Sequence, residues 1–431
     1  MGKQFFAGSI GKLVSLSLAS LLLFSALGAV EAHRFNGRYA TNMNNSGLRC
    51  MMAGAAPEIE WGKNIRHNIV SGVNGVSGAV QQTSDGGYII EGTVVSANAW
   101  FKTCLIKTDA KGNELWHREF GDSKYSLSSG LGQQTEDGGY IIVGIISHAP
   151  RWFNSDIFLL KTDASGNLQW CKTFHITDDN WGDSVQQTTD GGYIIAGKVA
   201  SETSKTSFDN GILIKTDAKG NTIWESIVDA GYRTECTSVQ QTADGGYIVT
   251  GLSTRSGEPG SVLLYKTDAN GYQQWEMDYG SDFKLPACGN TIKQTADGGY
   301  IVTGVSPTRG MGDICLLKTN VYGVLQWEKH VGGCGTGAGE EGRSVQKTKD
   351  GGYLVVGCIQ MPSNHTSMYI FKTDTDGNKI WDKTLSEGEC YSAQQTADGG
   401  YIVEGRVGSS PIILSQSTYN NYLVKLSPES P

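Results

Sequence analysis

Short apolar runs recur along this chain in a fixed order, separated by turn residues. In one unit, SVQQT (184–188) is followed by Asp190-Gly191-Gly192, then YIIAG (193–197), a polar stretch, ILIKT (212–216), DAKGN (217–221) and a segment carrying Trp224. Runs of this length, rich in Ile, Val, Thr and Tyr and bounded by Gly, Asp and Asn, predict four strands. Asp-Gly-Gly supplies the positive φ that a tight hairpin needs, and an Asp side chain in DAKGN can cap backbone N–H groups two residues on. The Asp-Gly-Gly-Tyr turn begins at Asp85, Asp137, Asp190, Asp244, Asp297, Asp350 and Asp398, so its spacing stays between 48 and 54 residues. A repeat of this period predicts a single array of like units.

The two ends of the array complement each other. The last unit has AQQT, YIVEG (401–405) and YLVKL (422–426), then stops without a fourth strand, while a spare fourth strand, IEWGKNI around Trp61, stands before the first complete unit. The expected fold is all-β: a seven-bladed β-propeller of four-stranded antiparallel blades over 58–427, closed by the N-terminal strand at Trp61 completing the last blade. Closure removes exposed sheet edges, and a monomer is expected. Residues 1–32 read as an export signal cut after Ala32, with an uncleaved anchor at Leu13–Val30 as the alternative. Residues 33–57 read as a flexible linker and 428–431 as a C-terminal tail.

LIKTDAKGNELW (105–116) resembles the tryptophan-docking repeat of quinoprotein-type propellers. The whole unit is similar in order to kelch-like blades, and the DGGYI repeats resemble those of secreted bacterial and archaeal propeller proteins. The likeness implies that each Trp packs between neighbouring blades. Quinoproteins of that kind hold their cofactor with calcium, often under a vicinal disulfide; this chain has no adjacent cysteine pair and seven units rather than their usual eight. No cofactor is expected.

Spacing separates construction from variation. Turn Asp to the Gly ending the second strand is always seven residues, and third-strand Lys to Trp is always nine where both exist (Lys107 to Trp116 through Lys372 to Trp381). The second-to-third connections and the connections between units vary, and in an antiparallel blade both lie on the face opposite the two invariant turns. Binding concentrates on variable loops of a rigid scaffold. The candidate binding residues there are Trp100, His148, Arg151, Trp152, His175, Trp181, Arg233 and Tyr279, accompanied by Phe101, Phe153, Tyr232, Phe283, His330, Glu340, Glu341 and Arg343. Exposed aromatics suit stacking on a sugar or anchoring a partner; loop tryptophans also serve as lids over their own blades.

Charge and motifs narrow the chemistry. A net charge of -8 without a basic stripe argues against nucleic acid. No catalytic elbow or phosphate loop is present, the seven His show no metal-ligand spacing, and each DxxGN turn offers only one carboxylate, so neither catalytic nor metal residues are expected. An odd cysteine count, nine, leaves at least one unpaired within the chain, and Cys104 and Cys315 read as buried apolar positions. Paired amides in the first strands, from Gln81-Gln82 to Gln394-Gln395, should line the axis with one member of each pair inward, either holding water or meeting a polar ligand. Lys293 and Lys347 break that pattern. The expected function is non-catalytic recognition of a protein or glycan outside the cell or at its surface, without a membrane span once the signal is removed. The alternative is an extracellular carbohydrate-active hydrolase or lyase working at the axis.

Overall fold

The computed structural model describes residues 55–65, 67, 69–70, 78–95, 101–122, 124–148, 154–200, 208–255, 259–280, 288–306, 312–332, 340–361, 365–407 and 420–430. These belong to one compact unit, Ala53–Pro431. Among them every regular element is a β-strand, and the strands form repeated four-stranded antiparallel, β-propeller-like blades. One blade runs in sequence order through Asn180–Gln187, Tyr193–Ala200, Phe208–Thr216 and Thr222–Val228. In the first two units the inner strand is split, Ile69–Val70 and Ala79–Gln82 both pairing with Tyr88–Val95, and Tyr125–Ser129 and Gln133–Gln134 with Tyr140–His148. Lys379–Gln395 runs through two blades, its first half on Thr366–Thr373 and its second on Tyr401–Val407. Ile59–Ile65 pairs antiparallel with Asn420–Leu426.

Second and third strands are buried on both faces because a blade packs against a neighbour on each side. The core therefore lies between blades: Ile194, Ala196 and Leu213 of one pack with Val239, Val249 and Leu263 of the next. The fourth strands Glu114–Phe120, Leu168–Phe174 and Thr222–Val228 alternate, exposed to half-buried, until a buried residue ends them. The repeat tryptophans cross to the following unit's turn tyrosine, with Trp170 and Tyr193 centroids 6.0 Å apart at 61° and Trp224 and Tyr247 at 5.7 Å. Trp116–Tyr140, Trp170–Tyr193, Trp224–Tyr247 and Trp381–Tyr401 meet in the favourable edge-on geometry of aromatic pairs, while the pairs at Trp61, Trp275 and Trp327 are tilted. Trp170 also covers Gly220, whose φ is +76°; a Cβ there would lie 2.7 Å from the indole, so both conformation and space call for glycine.

Each Asp-Gly-Gly turn is an ionic device. Asp190 Oδ1 accepts from Gly192 N at 2.9 Å and Thr188 Oγ1 at 2.6 Å, and Lys215 Nζ, reaching back from the third strand, sits 2.9 Å from Asp190 Oδ2. Equivalent pairs are Lys107 with Asp85, Lys161 with Asp137, Lys266 with Asp244, Lys318 with Asp297, Lys372 with Asp350 and Lys425 with Asp398. The DAKGN turn consumes its own carboxylate: Asp217 Oδ1 accepts from Lys219 N and Asn221 N at 2.8 Å, and Oδ2 from Asn221 Nδ2 at 2.9 Å.

Both ends of the repeat region extend further than the sequence boundaries. Pro57 is buried and its carbonyl accepts from Lys383 Nζ at 2.8 Å. Glu429 sits 2.6 Å from Lys372 Nζ and accepts from the Tyr401 hydroxyl. It places an acceptor for Lys372 and Tyr401 in the stretch read as a C-terminal tail. Seven cysteines fall in the described residues and all are free; Cys104 and Cys315 are buried. No helix among the described residues is long and apolar enough to cross a membrane.

Candidate functional site

The inner strands surround a cavity of about 450 Å³. Its end nearer the Asp-Gly-Gly turns is lined by the amide positions, including Gln81, Gln186, Lys293 and Gln394. Most of these amides are committed to neighbouring blades. Gln186 Oε1 accepts from Gln241 N at 2.6 Å and Gln241 Oε1 from Thr189 N at 2.9 Å, so each pair stitches two blades reciprocally. Gln394 Oε1 accepts from Gln82 N at 2.6 Å and Gln82 Oε1 from Ala397 N at 2.7 Å, which joins the last unit to the first by the same bonds. Alternation put one amide inward and left the other unassigned; the second in fact turns to the adjacent turn. Lys293 and Lys347 fall at one junction, where a lysine has no acceptor to offer. Asn290 Nδ2 to Gly342 O at 2.9 Å and Thr291 Oγ1 to Arg343 O at 2.8 Å bridge it instead. Burial, reinforced by Lys347, lowers the Lys293 ammonium pKa from its ordinary value.

The chemistry gathers at the other end, towards the variable loops. Five inner strands carry a bulge at one repeat position, with register shifting across Gly182/Ser184, Cys236/Ser238, Gly289/Thr291, Gly342/Ser344 and Cys390/Ser392. The inserted residues are Asp183, Thr237, Asn290, Arg343 and Tyr391, and all five line the cavity. A bulge frees its residue from the pleat and re-aims the side chain, which is why bulges sit beside sites. Gly78 takes the equivalent place in the first unit, so one side of the mouth is backbone and the other carries side chains.

Ion pairs hold these groups. Lys198 Nζ lies 2.9 Å from Glu235 Oε2, both nearly buried, and 4.9 Å from the centre of the Trp181 ring; Arg233 also pairs with Glu235. Burial opposes ionisation of Glu235, but Lys198 and Arg233 outweigh it and hold the carboxyl below its ordinary range. Arg343 reaches Glu341 at 3.0 Å and Glu389 at 3.4 Å and stacks 4.7 Å from the centre of the Tyr391 ring. The Tyr391 hydroxyl donates to Glu389 at 2.8 Å, and Asn290 Nδ2 to Glu341 at 3.0 Å. Burial, with Glu235 nearby, pushes the Cys288 thiol up to about 12, so it is no thiolate nucleophile.

Glu91 and Glu404 stand behind this lining. A side chain on Gly78 would collide with Glu404, and one on Gly132 with Glu91. Both carboxyls are fully buried, and Glu91 Oε1 and Glu404 Oε2 lack a hydrogen-bond partner among the described residues. Burial raises the Glu404 pKa to about 8 against the opposing pull of Arg343. The unfolded chain ionises Glu404 above its ordinary 4.5 while the folded chain keeps it protonated to about 8, so its contribution is complete below pH 4.5 and is lost as pH rises through 8. Glu404→Gln should therefore flatten the fall in stability between pH 4.5 and 8 and leave the variant more stable than the parent at pH 8. Urea midpoints at the two pH values check this, and an equal shift at both would refute it.

The sequence candidates divide. Trp181 and Arg233 flank the mouth through Lys198 and Glu235. His175 is exposed and pairs with Asp156 at 2.7 Å, away from the cavity lining. Tyr279 folds back against the next blade, its hydroxyl donating to Gly323 O, and packs on the core there. His330 pairs with Glu328 at 2.9 Å. Trp100, Arg151, Trp152 and the His148 side chain lie outside the described residues. Sequence reading missed the bulged residues as a set, although aligning the units three residues before the first amide places Asp183, Thr237, Asn290, Arg343 and Tyr391 in one column.

No family model and no curated protein matches the chain. Among solved structures it is similar to a protein of unknown function from Bacteroides caccae, with a TM-score of 0.44, 12% identity, 70% of this chain covered and 94% of that one. It is also similar to regucalcin, a calcium-binding protein from Agrobacterium tumefaciens str. C58, with a TM-score of 0.39, 12% identity and coverage of 70% and 91%.

Proposed function

We propose that the chain is a seven-bladed propeller closed by Ile59–Ile65, exported from the cell, that binds a polar, hydroxyl-rich ligand of the glycan class without catalysis at the loop-side mouth of its central cavity. Closure is supported by Trp61 resting 6.0 Å from Tyr88, as every repeat tryptophan rests on the next unit's tyrosine, and by the amide bonds between Gln394 and Gln82. Export rests on the apolar segment Leu13–Val30 and the small-x-small pattern Val30-Glu31-Ala32 after it. The observation that carries the function is the column of bulged residues. Sevenfold positions build the blades, whereas Asp183, Thr237, Asn290, Arg343 and Tyr391 differ in every unit and line one cavity. Donors and acceptors of both signs around a concave site, with aromatic rings beside them, suit a ligand bearing many hydroxyls.

A second reading, a carbohydrate-active hydrolase or lyase, draws support from Asp183 and Glu235 both lining the cavity. Such chemistry asks for a carboxyl that carries a proton near neutral pH. The cations on Glu235 work against that, and Glu404 stands behind Gly78. A glycan array with the whole protein is the first test. Asp183→Asn should weaken binding about tenfold, roughly 1.4 kcal/mol, with little change in melting temperature. An array without a binder would refute the glycan class and leave a protein segment as the ligand. Release of reducing ends that Asp183→Asn and Glu235→Gln both abolish would establish the enzyme instead.

A further inference from the structure

Outside the cavity, one cluster has the composition of a metal site. His67 follows the strand Ile59–Ile65, and Glu114 and His117 belong to the outer strand Glu114–Phe120 of the first unit. His67 Nε2 lies 2.9 Å from Glu114 Oε2, His117 Nδ1 lies 2.8 Å from Glu114 Oε1, and the two imidazole centroids are 4.4 Å apart. One donor atom from each of the three residues lies within 4.8 Å of the others. The geometry points to a surface site for a divalent transition-metal ion, held by His67, Glu114 and His117, that ties the N-terminal strand to the first blade.

Two imidazoles and one carboxylate suit zinc and its neighbours rather than calcium or magnesium, which prefer all-oxygen shells. Zinc bonds of about 2.1 Å set tetrahedral donor atoms about 3.4 Å apart. The present contacts are about half an ångström tighter, as expected when a carboxylate hydrogen-bonds two imidazoles directly, and all three side chains are partly exposed. Three protein donors leave a fourth position for water. Motif spacing could not reveal the group, because His67 follows the strand Ile59–Ile65 while His117 stands 50 residues further on, in Glu114–Phe120.

Chelator-treated full-length protein, with its cysteines kept reduced, should take up one equivalent of Zn²⁺ in competition with a chromophoric chelator and rise in melting temperature by several degrees. Co²⁺ should give the visible absorption of a low-coordinate site. His117→Ala, a change at a half-exposed side chain that leaves the metal-free melting temperature unaltered, should weaken Zn²⁺ binding at least thirtyfold and abolish the thermal shift; Glu114→Gln should weaken it less. Zinc uptake by His117→Ala with the parent's affinity would overturn the assignment and place the ion on the cysteines, and no uptake by the parent at 100 µM, a concentration about a hundred times a micromolar Kd, would overturn it outright.

Discussion

A chain that begins at residue 68 will lose cooperative unfolding, whereas one that begins at residue 55 will keep it. The difference is the strand Ile59–Ile65, which pairs with Asn420–Leu426 from Ile59↔Leu426 to Ile65↔Asn421. Removing it uncovers the backbone edge of a buried strand, Leu423, Val424 and Leu426 being wholly inaccessible in the complete fold. It also removes Ile65, 5% exposed within the core shared with Ile90 and Ile402, and the Trp61 ring that lies against Tyr88 and Gly112. Loss of one buried large side chain costs about 2–5 kcal/mol, and two of them with an unpaired edge reach the 5–15 kcal/mol that typically separates folded from unfolded chains. Circular dichroism with urea titration of the two truncations makes the comparison. A synthetic peptide of residues 55–67 should restore the transition of the shorter chain when added in trans. Equal midpoints for the two truncations would sink the proposed closure.

That strand was legible in the sequence because Trp61 occupies the same place in IEWGKNI as Trp116 does in ELWHREF. Strand identities were legible for the same reason: turn glycines and apolar runs are local signals, and each recurs at fixed spacing. What stayed hidden depends on contacts across blades or on broken periodicity. Lys215 and its six equivalents were visible as regular marks, but lysine is expected at the surface, and only the fold brings Asp190 over it. Asp183, Thr237, Asn290 and Tyr391 were hidden, and Arg343 appeared only as a loop residue, because a bulge adds one residue and cancels the alternation from which inward positions are read. Of the variable-loop candidates, Trp181 and Arg233 stand within two residues of the cavity-lining Asp183 and Glu235.

The repeated lysine–aspartate pairs account for the recurrence of Asp in the Asp-Gly-Gly turns, and their energetics should be asymmetric. Lys215 is 5% exposed while Asp190 is 58% exposed, so water screens the carboxylate but not the ammonium. Asp190→Asn would leave Lys215 Nζ buried with a neutral amide and the Thr216 carbonyl, 2.8 Å away, as its acceptors. Stranding a buried charge costs about 3–5 kcal/mol in full; access of water past residue 190 brings the expected loss to about 2–3 kcal/mol. Lys215→Met keeps the alkyl stem packed and removes the charge. Asp190 then still accepts from Gly192 N and Thr188 Oγ1, so this change should cost less than about 1 kcal/mol. The double variant should lie near Lys215→Met alone, giving a coupling of about 2–3 kcal/mol between the sites. Urea denaturation of the parent and three variants at pH 7 measures all four corners. If Asp190→Asn and Lys215→Met proved equally costly and additive, the pair would be two independent hydrogen-bonding residues, and the aspartate would be kept for its turn rather than for the lysine beneath it.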